Sequence, residues 1–318
     1  MPVHPLIAAR FPLIQHLPNW PEPDDEAGIR ALAAYLEPHG EYRLPEVAVE
    51  ERHVDGPHGP VRVRLYRPQT PTGAGLLWNH GGGFVGGDLD MPEAHVVAAE
   101  LAARAGAVVA SVEYRLATDT VRYPVPLDDV HAAWLWFVQE AGELGVDPGR
   151  AAIGGASAGG NLAVAATLRA RDAGEPLPAA MLLAYPALHF PTPALDDPIA
   201  AEMRGLPRML RFTAGDIAFL TRAYLGRLTD IPANLMPGLA RLQGLPPAVV
   251  VLSEYDDLRG SGELFVEQLT EAAVPVSSTV AEGMLHGHLN LPPVDDMAEI
   301  GRSLDVLAAA LGGAEAPR

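Results

Sequence analysis

Ala151-Ala152-Ile153-Gly154-Gly155-Ala156-Ser157-Ala158-Gly159-Gly160-Asn161-Leu162 decides the fold. A short apolar run leads into a Gly-x-Ser-x-Gly pentapeptide, and a helix-like stretch follows as far as Arg171. That order predicts a strand, a sharp turn and a helix with Ser157 exposed at the turn, the form of a nucleophile elbow. A serine in such a turn is held in a strained backbone conformation. Side chains two residues to either side would crowd the backbone, which accounts for Gly155 and Gly159. The pentapeptide alone also fits a Gly/Ala-rich helix start with Ser157 as its N-cap.

Outward from the elbow, apolar runs alternate with helical patterns. Leu76–Trp78, Ala107–Val112, Ala151–Ile153, Ala180–Leu183, Ala248–Leu252 and Val276–Val280 read as buried strands. Helix-like stretches near Glu93–Arg104, Leu127–Glu140, Ala158–Arg171, Gly262–Ala273 and Asp295–Leu311 lie between or after them. This alternation predicts an α/β fold, a mostly parallel central sheet with helices on both faces. Val47–Val54 and Val61–Tyr66 alternate apolar with polar residues, as an antiparallel pair at a sheet edge does. The spacing breaks once, between Tyr185 and Leu245, in a stretch rich in Pro, Met and Leu. It is too long for a simple connection and reads as an inserted, mostly helical cap. Before the sheet, prolines surround one helical segment near Ala27–Leu36, an N-terminal extension rather than a domain.

Composition narrows the chemistry. At 318 residues and 48% hydrophobic content, one enlarged domain with a large core is expected. There is no cysteine and no lysine, which excludes disulfides, thiolate metal sites, a cysteine nucleophile and a lysine Schiff base. A formal charge of −18 argues against nucleic acid and anionic membranes as partners. Met1–Arg10 lacks the pattern of a secretory signal and no apolar run is long enough to span a bilayer, so a cytoplasmic location is expected.

His80-Gly81-Gly82-Gly83-Phe84 directly follows the strand that ends near Asn79. Consecutive glycines there suit a tight turn that brings backbone N–H groups close to a ligand. Beside a serine nucleophile, such groups receive the charge that develops on a carbonyl oxygen, and Ala158 supplies a further N–H. The serine needs a base and the base needs a carboxylate. His286 follows the last strand, in the chain order Ser, Asp, His of an α/β hydrolase. His288 is its rival; a His286/His288 metal pair lacks a third ligand at suitable spacing. Ser253-Glu254-Tyr255-Asp256-Asp257 offers three carboxylates after a strand. Asp256 is chosen, with Asp257 the main alternative and Glu254 a structural or substrate-facing group.

With these residues in place the chain resembles the bacterial hormone-sensitive-lipase-like (family IV) esterases of the α/β-hydrolase superfamily, from about Val61 to the C-terminus. His80–Gly83, Tyr114-Arg115-Leu116-Ala117, Leu127–Val130, Gly155–Gly160, Asp256-Asp257-Leu258-Arg259 and His286-Gly287 match its motifs in order. The chain departs from the pattern at Thr118 and Asp119 (Pro and Glu in the family), at Ala156 (Asp or Thr) and at His288 (an aromatic residue). A protonated His288 would disfavour protonation of His286 if the two approach.

The resemblance implies Ser157, His286 and Asp256 as a triad and Gly82, Gly83 and Ala158 as the oxyanion donors. His80 and Gly81 would support that loop. It implies a cap built from residues 1–43 and 188–239 on a core of 44–187 and 240–318, with Phe84, Val85, Tyr185, Phe212, Ile217, Phe219 and Leu220 as candidate pocket walls. Short- to medium-chain esters are the expected substrates, cleaved through an acyl-enzyme with no cofactor and no metal. Relatives often associate through the last strand near Val276–Val280, so a homodimer is compatible. Two other readings keep the same motifs: an amidase, thioesterase or lactonase using the same triad, and a non-catalytic binding protein on this fold.

Overall fold

The computed structural model describes residues 2–21, 24–195 and 198–312. Of the expected cap and core spans, residues 1, 22–23, 196–197 and 313–318 lie outside the described residues. Eight described strands form one sheet: β1 (Ala48–Val54), β2 (Val61–Arg67), β3 (Gly75–Asn79), β4 (Val108–Glu113), β5 (Ala151–Ala156), β6 (Met181–Ala184), β7 (Ala248–Tyr255) and β8 (Val276–Leu285). Their order is β1-β2-β4-β3-β5-β6-β7-β8. β2 pairs antiparallel with β1 and β4, and the remaining neighbours are parallel. The central strands β3, β5 and β6 are buried along their whole length, which is why they read as continuous apolar runs rather than alternating ones.

Among the described residues, α1 (Pro5–Ala8), α2 (Phe11–Ile14) and α3 (Glu26–Leu36) precede the sheet. Then come α4 (Pro92–Ala105), α5 (Val125–Gln139), α6 (Ala141–Leu144), α7 (Ala158–Ala173), α8 (Pro198–Met203), α9 (Ala214–Leu225), α10 (Arg259–Glu271) and α11 (Ala298–Leu311). Alternate residues of each strand feed two cores. Leu77, Ala110 and Ile153 pack with α5, α7 and α10 through Leu127, Leu162 and Phe265. Leu76, Trp78 and Val109 face α4 and α11 through Val97, Leu101 and Leu304 on the other side. Helices on both faces of a parallel sheet leave the carboxyl ends of the strands as the open crevice, and β3, β5, β7 and β8 deliver the candidate residues there.

The stretch between β6 and β7 is less helical than expected. It holds α8, the twelve-residue α9 and isolated 3₁₀ turns such as Arg208–Leu210, joined by irregular chain. Thr213 begins α9 by donating its N–H to Asp216 Oδ2 at 2.7 Å. Ile14 and Leu17, with Leu32 and Tyr35 of α3, pack against Met209 and Leu210, so the N-terminal helices rest on this insertion. No helix among the described residues is long and apolar enough to cross a membrane.

Candidate active site

β5 ends at Ala156 and the chain reverses into α7 at Ser157, whose φ of 52° and ψ of −116° are costly for a residue with a Cβ. Gly155 and Gly159 make this turn possible: a Cβ on Gly155 would strike the backbone of Gly159 and Asn79, and one on Gly159 the carbonyls of Asn79 and His80. The Ser157 hydroxyl makes no capping hydrogen bond to α7. Its Oγ instead lies 2.9 Å from His286 Nε2.

His286 follows β8, and its Nδ1 is 2.7 Å from Asp256 Oδ2. An Nδ1–H donated to that carboxylate leaves Nε2 free to accept the Ser157 proton. Asp256 Oδ1 accepts the Leu258 N–H at 2.8 Å, so both oxygens of this buried carboxylate are satisfied. The neighbouring carboxylates go elsewhere. Asp257 accepts from Arg211 Nε and Nη2 at 2.8 Å each and from the Phe212 N–H at 2.8 Å. Glu254 accepts the Gly283 N–H at 2.6 Å, in the region where the β7/β8 register shifts. Glu254 sits at that irregularity, whereas Asp256 and Asp257 lie past the end of β7.

Burial lowers the proton affinity of His286, but the charge of Asp256 and its hydrogen bond, helped by Glu93 and Asp257, outweigh burial and raise its pKa above the ordinary histidine value. His288 behaves differently from the expectation. It is buried, with Nδ1 2.9 Å from Ser253 Oγ and Nε2 2.9 Å from Ser303 Oγ. Burial, and then the nearby His286, push its pKa down to about 3. His288 is therefore neutral near pH 7 and places no like charge beside His286 there.

The glycine loop after β3 is fastened from below. His80 is buried and stacks on Tyr114 at 4.4 Å, and the Tyr114 O–H donates to the His80 carbonyl at 2.8 Å. The Arg115 N–H and guanidinium bind Asp129 at 2.9 and 2.5 Å, tying the Tyr-Arg-Leu-Ala segment to α5. Gly81 N–H donates to Glu93 Oε2 at 2.6 Å. Gly82 and Gly83 then take φ of 106° and 61°, the left-handed region that favours glycine.

Gly83, Ser157 and Ala158 share a cavity of about 30 Å³ with Phe84, Phe212, Ile217 and Leu220. A second cavity of about 370 Å³ lies beyond Phe212, Ile217 and Thr192, which line both. Of the candidate walls, Val85, Tyr185 and Phe219 line neither cavity. Val85 is 37% exposed in the turn closed by its N–H and the Gly82 carbonyl. Phe219 is 66% exposed on α9, on the side away from Ile217 and Thr221, which the helical period turns inward. Tyr185 is buried, sets its ring edge against His286 at 5.0 Å and donates its O–H to Glu93 Oε1 at 2.6 Å.

Sequence reasoning missed Glu93 and the Arg211–Asp257 pair. Glu93 occupies the first turn of α4, where an acid reads as a complement to the helix dipole, and nothing local announces its burial.

A family model described as the α/β hydrolase fold matches residues 76–290. The chain is 38% identical to esterase LipI of Mycobacterium tuberculosis over 77% of this chain and 76% of that protein. It is 37% identical to carboxylesterase NlhH of the same organism over 84% of each. Among solved structures, the hyperthermophilic esterase from Pyrobaculum calidifontis superposes with a TM-score of 0.78 at 32% identity, covering 98% of both chains.

Proposed function

We propose that this chain, which belongs to the α/β hydrolase fold family and within it to the hormone-sensitive-lipase-like esterases, is a serine carboxylesterase acting on short- to medium-chain acyl esters. The observation that carries the reading is the continuous relay of Ser157 Oγ, His286 and Asp256, with contacts of 2.9 and 2.7 Å, at the mouth of one small apolar cavity. Relatives named as esterases and carboxylesterases support the ester as substrate.

In this mechanism Ser157 Oγ attacks the ester carbonyl while His286 Nε2 takes its proton and Asp256 steadies the imidazolium. The N–H groups of Gly82, Gly83 and Ala158 receive the oxyanion. His286 returns the proton to the departing alcohol, and water activated by the same nitrogen releases the acid from Ser157. A cavity of about 30 Å³ at the nucleophile favours a small acyl group, and the insertion that supplies Phe212, Ile217 and Leu220 acts as the cap. The outer edge of β8, at the end of the sheet with Val280 exposed, fits pairing with a second copy.

Hydrolysis of p-nitrophenyl esters from acetate to palmitate tests the reading, with wild type beside Ser157→Ala. A rate highest on short chains and abolished in the variant is expected. No hydrolysis by folded wild type would overturn it and turn attention to amides, thioesters or lactones.

A further inference from the structure

Glu93 opens α4, a place where an acidic side chain ordinarily meets solvent. Here it is only 2% exposed. Its Oε2 accepts the Gly81 N–H at 2.6 Å, and its Oε1 accepts the Tyr185 O–H at 2.6 Å and an Asn290 Nδ2–H at 3.2 Å. These donors come from three loops. Gly81 precedes the glycines proposed to bind the oxyanion; Tyr185 follows β6 and sets its ring edge on His286; Asn290 lies just past His286 and donates to the Gly287 carbonyl at 3.2 Å. Asn290 Oδ1 in turn lies 3.4 Å from the Glu93 N–H. A Cβ on Gly81 would collide with the Glu93 carboxylate, so the acid in this place requires glycine at 81.

Burying a carboxylate is costly unless its oxygens are satisfied, and an uncharged side chain could fill the space without that cost. Resting on the esterase reading above, we propose that Glu93 is a positioning residue of the reaction. As an acceptor at both oxygens it holds the oxyanion loop and the His286 loop in one register. Burial pushes the Glu93 carboxyl above the usual carboxylate range, while the Tyr185, Gly81 and Asn290 donors and His286 oppose that rise. In its ionised form it places a second negative charge behind the imidazolium that forms when Ser157 attacks. An amide cannot replace it. With the Gly81 N–H on one side and Asn290 Nδ2 on the other, a glutamine must set its own NH₂ against a donor.

The titratable groups facing His286 are Asp256 and Asp257 after β7, Tyr185 after β6, neutral His288 on its own loop and Glu93 from α4. A Glu93→Gln variant changes one of these charges and leaves the others in place. The test compares wild type, Ser157→Ala, Glu93→Gln and Tyr185→Phe on p-nitrophenyl acetate, measuring kcat, KM and the pH profile of kcat/KM. Glu93→Gln is expected to lose roughly 10- to 100-fold in kcat with KM within about twofold. Its acid limb should move to lower pH by roughly half a unit or more, since the imidazolium loses an attractive charge. Tyr185→Phe keeps the ring against His286, removes one donor and should lose a smaller part of kcat.

A Glu93→Gln enzyme with wild-type kcat overturns the inference, as does one that loses rate with an unmoved acid limb. If Glu93→Gln does not fold, wild-type kcat in Tyr185→Phe overturns it. A wild type without Ser157-dependent hydrolysis overturns the esterase reading and this inference together, whereas full activity in Glu93→Gln beside an inactive Ser157→Ala overturns the inference alone.

Discussion

Asp257 grips Arg211 with both carboxylate oxygens at 2.8 Å, one residue beyond the carboxylate that faces His286. The same group accepts the Phe212 N–H, and the Phe212 ring stands 4.6 Å from His286. Two adjacent aspartates thus face different elements: Asp256 contacts His286, and Asp257 holds the insertion whose Phe212 ring lines the cavity.

This division separates two isosteric variants. Asp256→Asn should lower kcat by on the order of 10⁴, because the amide no longer holds the histidine tautomer that accepts the serine proton. Asp257→Asn weakens a partly exposed ion pair, and kcat/KM should fall by about tenfold or less. Equal losses from the two would place the acid wrongly.

The pH dependence has a definite sign. Burial opposes a proton on His286 and Asp256 more than offsets it, so the acid limb of kcat/KM should have its midpoint above the ordinary histidine value of 6.5. Activity rises through that midpoint as the base loses its proton. The stabilisation from protonated His286 against Asp256 runs the other way: it is complete below the unfolded pKa and lost as pH rises through the folded one. A kcat/KM profile without an acid limb above the ordinary histidine value would count against His286 as the base.

His288 should leave no trace in that profile. His288→Phe removes a neutral ring held between Ser253 and Ser303, so the acid limb should stay in place. Urea unfolding should show a loss on the order of 1–3 kcal/mol for each buried hydroxyl left unpaired. In wild type this histidine resists protonation down to about pH 3, so below the unfolded value near 6.5 the unfolded chain takes up a proton that the folded one does not. That linkage makes wild type lose more stability than the variant on acidification. A shifted acid limb in His288→Phe would show that the two rings are coupled after all.

Phe212 divides the cavity of about 30 Å³ at Ser157 from that of about 370 Å³ beyond it. Phe212→Ala should join them and move the preferred p-nitrophenyl ester toward longer acyl chains, with acetate turnover reduced less than the gain on octanoate. An unchanged chain-length profile would mean that the wall is set by Ile217 and Thr192 without the ring.

The sequence spelled out the chain order of strands and helices, the turn at Ser157, the glycine loop and a histidine behind the last strand as candidate base. Each is written in local terms: apolar runs of strand length, glycines where a Cβ would meet the backbone, and a histidine directly behind the last strand. It narrowed the acid to two neighbours and went no further, because what separates them is a partner distant in the chain: His286 for Asp256, and Arg211 with the Phe212 N–H for Asp257. It also could not separate Phe212, which lines the cavity, from Phe219, which points to solvent, since both are aromatic residues of one insertion. Tertiary structure alone decided that His288 is a neutral buried ring between two serines and that Glu93 lies beneath the site. Both depend on partners brought from distant parts of the chain, β7 and α11 for His288 and three separate loops for Glu93, and the burial that shifts a proton or satisfies a carboxylate exists only once those parts meet.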